Sequence, residues 1–148
     1  MNVSIKYGGI IAIGVIVWVL VSNYIFHPDP NSGVASFTVL FFNVLPIVCL
    51  YLGINEKRKA TSRQFAIGQG VATGLSIIAL YIVIASLFFV VMGPRLMAQQ
   101  PAGAEQVSMA QHFAGFVFFA LIGGLFYSAL ISFVIKRFYG GQIEPSDK

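Results

Sequence analysis

The chain has 148 residues, 57% hydrophobic by type and only 9% charged, with a net charge of +4 and a mean hydropathy of +0.85. Soluble domains carry about a quarter charged residues, and disordered chains pair low hydrophobicity with high charge, so both a water-soluble monomer and a disordered protein are excluded. The composition is that of an integral membrane protein.

Four stretches contain no Asp, Glu, Lys, Arg or His: Gly8 to Phe26, Ser36 to Ile54, Phe65 to Met92 and Phe113 to Ile135, of 19, 19, 28 and 23 residues. An ionic side chain at the centre of a membrane helix costs roughly 2.5 to 3.5 kcal/mol, which is the force that sorts charges in this way. Nineteen residues make a helix of about 28 Å, close to the roughly 30 Å hydrocarbon core. Runs such as Ile10–Ile11–Ala12–Ile13 and Leu87 to Met92 are apolar on every side, unlike the alternation of a transmembrane barrel. Helices satisfy every backbone amide within their own segment. The expected fold is an all-α integral membrane protein. Residues 1–140 form one transmembrane domain, an up-down bundle of four helices over about 8–26, 36–54, 62–92 and 113–136, followed by a short polar tail over 141–148.

The first helix is too long for a signal-peptide core of about 7 to 15 residues and lacks a small-x-small cleavage site. It is expected to stop at His27–Pro28–Asp29–Pro30–Asn31, where two prolines deny helical amides. In the second, Pro46 leaves the Phe42 carbonyl without its donor and predicts a kink beside Asn43. The lone Cys49 precludes an intramolecular disulfide. The third helix is expected to begin at Thr61–Ser62–Arg63–Gln64, a capping box, and to end at Gly93–Pro94. Its length predicts tilt, or projection of its first turns into the interface. Around these helices, eight basic residues (Lys6, Lys57, Arg58, Lys59, Arg63, Lys136, Arg137, Lys148) stand against Arg95 alone. That imbalance predicts both termini cytoplasmic. Tyr7, Tyr24, Tyr51 and Tyr139, all near helix ends, fit the same frame.

Small residues recur every four positions on two helices, Ala66, Gly70 and Gly74 on the third and Ala120, Gly124, Ser128 and Ser132 on the fourth. Such stripes let backbones approach, either within one bundle or between two copies. Trp18, Asn43 and Tyr81 fall at comparable depths and form a candidate intramembrane polar cluster, either a pocket or a packing contact. Lys57, Arg58, Lys59 and Arg63, joined by Lys136 and Arg137, suit anionic lipid headgroups at roughly 1 kcal/mol per cation; the same residues are the topology signal. His27, Asp29, Glu105 and His112 share the outer side, but irregular spacing argues against a metal site. Nucleic acid is not an expected partner, since the basic loops lack interleaved aromatics. No recognisable nucleophile triad, Cys-x-x-Cys or phosphate-binding glycine loop occurs, and the helices hold no ionisable group that would couple to an ion gradient. The helix number and length are similar to those of small multidrug transporters. That family depends on a glutamate in its first helix, where this chain offers only Ser22 and Asn23.

Lys6–Tyr7–Gly8, Leu50–Tyr51–Leu52–Gly53–Ile54, a basic connection into Phe65–Ala66–Ile67–Gly68–Gln69–Gly70, and Ile122–Gly123–Gly124–Leu125 before a short basic tail resemble the bacterial family called domain of unknown function 4199. The likeness runs along nearly the whole chain. It implies a four-helix inner-membrane protein of Bacteroidota and their relatives and transfers no catalytic residue; the outer loop is longer here. The function expected is a non-catalytic structural or accessory module, without cofactor or catalytic residues, that packs with itself or with another membrane protein. The alternative is a small-molecule or lipid-handling carrier lined by Trp18, Asn43 and Tyr81. An enzyme ranks third, with His27, Asp29, Glu105 and His112 as its only acid-base groups.

Overall fold

The computed structural model describes residues 2–26, 33–61, 65–97 and 109–139, and almost all of these are helical. Helix α1 (Val3–Val21) starts five residues before the ion-free stretch because Asn2 caps it, its side-chain oxygen accepting the Ser4 amide at 3.2 Å. It ends in a π turn over Ser22–Phe26. There the Ser22 hydroxyl and the Asn23 amide both donate to the Val19 carbonyl, at 3.1 and 2.8 Å, side-chain bonds that compete with the regular ladder. The proline-rich stop that follows lies outside the described residues.

Helix α2 (Gly33–Thr61) continues about two turns past Ile54, through Asn55–Glu56–Lys57–Arg58. Arg58 and Lys59 occupy its last turn, where the helix dipole favours cations. Pro46 lies inside it. The expected capping box is overturned here: Thr61 is the last residue of α2, and its hydroxyl donates back to the Lys57 carbonyl at 2.9 Å. Gln64, its expected partner, lies outside the described residues. Helix α3 (Ile67–Met97) instead starts from Ala66, whose amide donates to the Gln69 side chain at 3.4 Å. That is the glutamine half of a capping box set several residues later than expected. Nor does α3 stop at Gly93–Pro94. It runs through Pro94 to Met97, since a proline near a helix end releases one carbonyl without forbidding the next turn. Helix α4 (Met109–Tyr139) completes the set. All four helices contain segments long and apolar enough to cross a membrane.

The third helix organises the bundle. It packs most extensively on α4 and on α1, while α2 packs on α1 and touches α3 and α4. The start of α1 meets the end of α2 through Lys6 and Glu56, and the end of α2 meets the end of α4 through Arg58 and Tyr139. The chain therefore runs up and down. The core is a narrow apolar column that includes Ile11, Leu50, Ile54, Ile77 and Ile135, each fully buried. Outward faces carry large apolar residues such as Val39, Leu87, Phe119 and Phe126, the inverse of a water-soluble bundle.

Candidate functional site

Two close helix crossings and one polar end define the places where side chains converge. At the first crossing, a Cβ on Gly8 would stand 2.8 Å from the Ile77 carbonyl oxygen, and one on Gly53 would stand 2.6 Å from Ile77 Cδ1 and 3.1 Å from the Tyr7 ring. The absence of side chains at Gly8 and Gly53 is what lets α1, α2 and α3 meet around Ile77. At the second, between α3 and α4, the predicted stripes face each other. Cβ atoms on Gly70 and Gly74 would lie 2.8 Å from Ser132 Cβ and 2.6 Å from Ser128 Cβ, each overlapping the serine hydroxyl as well, and one on Gly124 would lie 2.7 Å from Ile78 Cγ1. Ser132 Oγ donates to the Ser128 carbonyl at 2.6 Å. Ser128 Oγ is fully buried without a hydrogen-bond partner among the described residues. Ala120 packs at the edge of the core, whereas Ala66 precedes α3 and is exposed.

Trp18, Asn43 and Tyr81 occupy three different settings. Trp18 Nε1 donates to Thr38 Oγ1 at 2.9 Å, and its ring packs against Phe37 and Phe41 with centroids 5.0 and 5.4 Å away. Tyr81 is buried, its ring perpendicular to that of Phe116 with centroids 5.6 Å apart. Asn43 is exposed on α2 and donates to the carbonyl of Val39 on its own helix at 2.7 Å. Asn43 is exposed, whereas Tyr81 is buried between α3 and α4.

The polar end holds a group that sequence reasoning missed. Lys6 Nζ and Tyr7 Oη both donate to Glu56 Oε2 at 2.7 Å, the lysine pair being a half-exposed salt bridge. Counting cations alone hid it; the signal was Glu56, an acid directly preceding the basic run Lys57–Arg58–Lys59. Nearby, the Arg58 guanidinium lies 4.6 Å over the Tyr139 ring, with its buried Nε unpartnered among the described residues, as is Asn55 Oδ1. Lys57, Lys59, Lys136 and Arg137 are exposed around this end. Arg63 lies outside the described residues, as do His27, Asp29 and Glu105; His112 is in the first turn of α4. Because Tyr7 is 8% exposed and its hydroxyl depends on Glu56, Tyr7→Phe is expected to lower stability by about 1 kcal/mol. In a double-mutant cycle with Glu56→Gln, followed by denaturant titration in mixed micelles, the two changes should be non-additive. Full additivity would mean that the hydroxyl and carboxylate are not partners.

No protein-family model matches the chain, and no curated protein or solved structure matches it.

Proposed function

We propose that this chain is a multi-pass module of the bacterial inner membrane, with both termini cytoplasmic, that works by packing with itself or with another membrane protein and not by catalysis. The observation that carries this reading is the fate of the polar side chains within the spans. Thr38, Asn43, Thr73, Ser76, Ser86 and Ser132 each donate to a carbonyl four residues earlier on their own helix. Such bonds neutralise polarity locally and direct no converging donors at a solute. Membership of the family called domain of unknown function 4199 is part of the same proposal, resting on the motifs quoted above.

Orientation follows from the basic end, where Lys57, Lys59, Lys136 and Arg137 are exposed and suit an anionic headgroup layer. A fluorescent protein that matures only in the cytoplasm should shine when fused after Lys148, and an alkaline phosphatase fused there should stay inactive. The reverse pattern would overturn the topology. The carrier alternative has its own test, in which the full chain is reconstituted in vesicles and screened for solute flux. Flux abolished by Asn43→Leu at unchanged folding and oligomer size would replace the packing reading.

A further inference from the structure

We propose that the joined ends of α2 and α4 hold one anionic phospholipid by its phosphodiester, with Arg58 as the group that binds it. This rests on the membrane reading above and adds a ligand to it; it depends on neither a packing partner nor the leaflet in which that end lies.

Tyr51, Asn55 and Arg58 recur at four and three residues along α2, which puts them on one helix face. That face meets the last residue of α4. The Tyr51 and Tyr139 hydroxyls are hydrogen-bonded to each other, and the Arg58 guanidinium lies 4.6 Å over the Tyr139 ring. Stacking of this kind fixes the plane of an arginine and leaves its edge for a bidentate acceptor. The described residues supply no such acceptor. Arg58 is half-buried, and its Nε is sealed from solvent without a hydrogen-bond partner among those residues, as is Asn55 Oδ1 one turn before it. Glu56, the only acid among the described residues, is already engaged by Lys6 and Tyr7 at 2.7 Å.

Charge and depth select the anion. Each helix C-terminus is worth about half a negative charge, yet the last turns of α2 and α4 carry Arg58, Lys59, Lys136 and Arg137. A surplus of about three positive charges remains. Arg58 lies four residues beyond Ile54, where the ion-free stretch ends, or about 6 Å along the axis. The interfacial layers are each about 5 to 8 Å thick, so the guanidinium stands at the level of lipid phosphates. Phosphate oxygens are the acceptors that Arg58 lacks, and a glycerol headgroup adds hydroxyl donors that suit Asn55 Oδ1. Lys57 and Lys59, both exposed, draw anionic lipid to the same end without fixing its geometry.

The test uses the full chain in maltoside micelles, titrated with phosphatidylglycerol or phosphatidylcholine, with bound lipid counted by native mass spectrometry. Phosphatidylglycerol should saturate at a single retained copy and bind roughly 10-fold more tightly than phosphatidylcholine. Arg58→Gln should weaken phosphatidylglycerol binding roughly 10- to 100-fold. Arg58→Lys, which keeps the charge but not the stacked fork, should recover little of that loss. Lys59→Gln should weaken binding roughly 5-fold or less. Because Arg58 also packs on Tyr139, unfolding midpoints without lipid accompany each variant, and a second pair leaves Arg58 in place: Tyr139→Leu should weaken binding while Tyr139→Phe, which keeps the ring, retains most of it. Equal losses for Arg58→Gln, Lys57→Gln and Lys59→Gln without a saturating copy would make this end a diffuse basic surface and overturn the proposal. Wild-type binding by Arg58→Lys would do the same. Inorganic phosphate in large excess should not displace the lipid; displacement would assign the site to free phosphate and overturn its lipid occupant. All of these outcomes leave the packing and topology readings standing, which solute flux and the terminal fusions decide.

Discussion

Gly8→Val should detach α1 from α3, lowering stability by about 3 kcal/mol or more, while Gly9→Val, one residue away, should be tolerated. A Cβ at Gly8 would stand 2.8 Å from a backbone carbonyl oxygen and 3.1 Å from Leu80 Cβ, whereas one at Gly9 meets nothing within 4 Å. Neither obstacle at Gly8 is the end of a flexible side chain, so relief requires one helix to move as a body. Overpacking a soluble core typically costs about 1 to 3 kcal/mol and occasionally more. A membrane bundle has less to offset it, because a helix that moves away exposes apolar residues to lipid tails as apolar as itself and no hydrophobic force restores the contact. Denaturant titration in mixed micelles, with protease sensitivity of the α1 segment as a second readout, checks the pair. Equal behaviour of the two variants would refute the α1–α3 crossing.

The contrast between Gly8 and Gly9 shows where sequence reading stops. Four spans were legible because hydrocarbon penalises charge at every position alike, so the ion-free stretches mark the helices without any knowledge of packing. Helix ends were less legible. Hydropathy breaks at Ile54, but α2 continues to Thr61 because charged side chains find partners there, Glu56 with Lys6 and Tyr7, Arg58 with the face of Tyr139. Local capping chemistry was ambiguous for a similar reason: Thr61 and Gln64 have capping spacing, yet Gln69 does that work from inside α3. The stripes on α3 and α4 were readable as period-four patterns of small residues. Gly8 and Gly53 were not, since nothing in the sequence separates Gly8 from the adjacent Gly9, Gly53 stands alone among bulky neighbours, and the role of each exists only once Ile77 comes opposite. Depth matching proposed a meeting of Trp18, Asn43 and Tyr81. Depth says nothing of how closely the helices pack at that level, and Asn43 is exposed where Tyr81 is buried.

Gly74→Leu is the second large expected effect, disrupting the α3–α4 contact and leaving a protein that aggregates on detergent extraction, a loss of at least about 3 kcal/mol. The smaller change Gly74→Ala should cost about 1 to 3 kcal/mol, because the added methyl would lie 2.6 Å from Ser128 Cβ and overlap its hydroxyl. Two further substitutions separate sterics from chemistry. Ser128→Ala removes the hydroxyl but keeps the offending Cβ, so it should relieve Gly74→Ala only in part. Ser128→Gly removes both atoms, and the exchanged pair Gly74→Ala with Ser128→Gly should recover most of the loss, since the methyl then occupies the space the serine vacates. The expected sign is a favourable coupling between neighbouring sites, read as the midpoint of unfolding in mixed micelles. Gly115→Ala serves as the reference on α4, where nothing lies within 4 Å of the added carbon and replacing a helical glycine gains up to about 1 kcal/mol. If the exchanged pair were no better than Gly74→Ala alone, Gly74 and Ser128 would not be in contact and the small-residue face of α4 would be free for another chain.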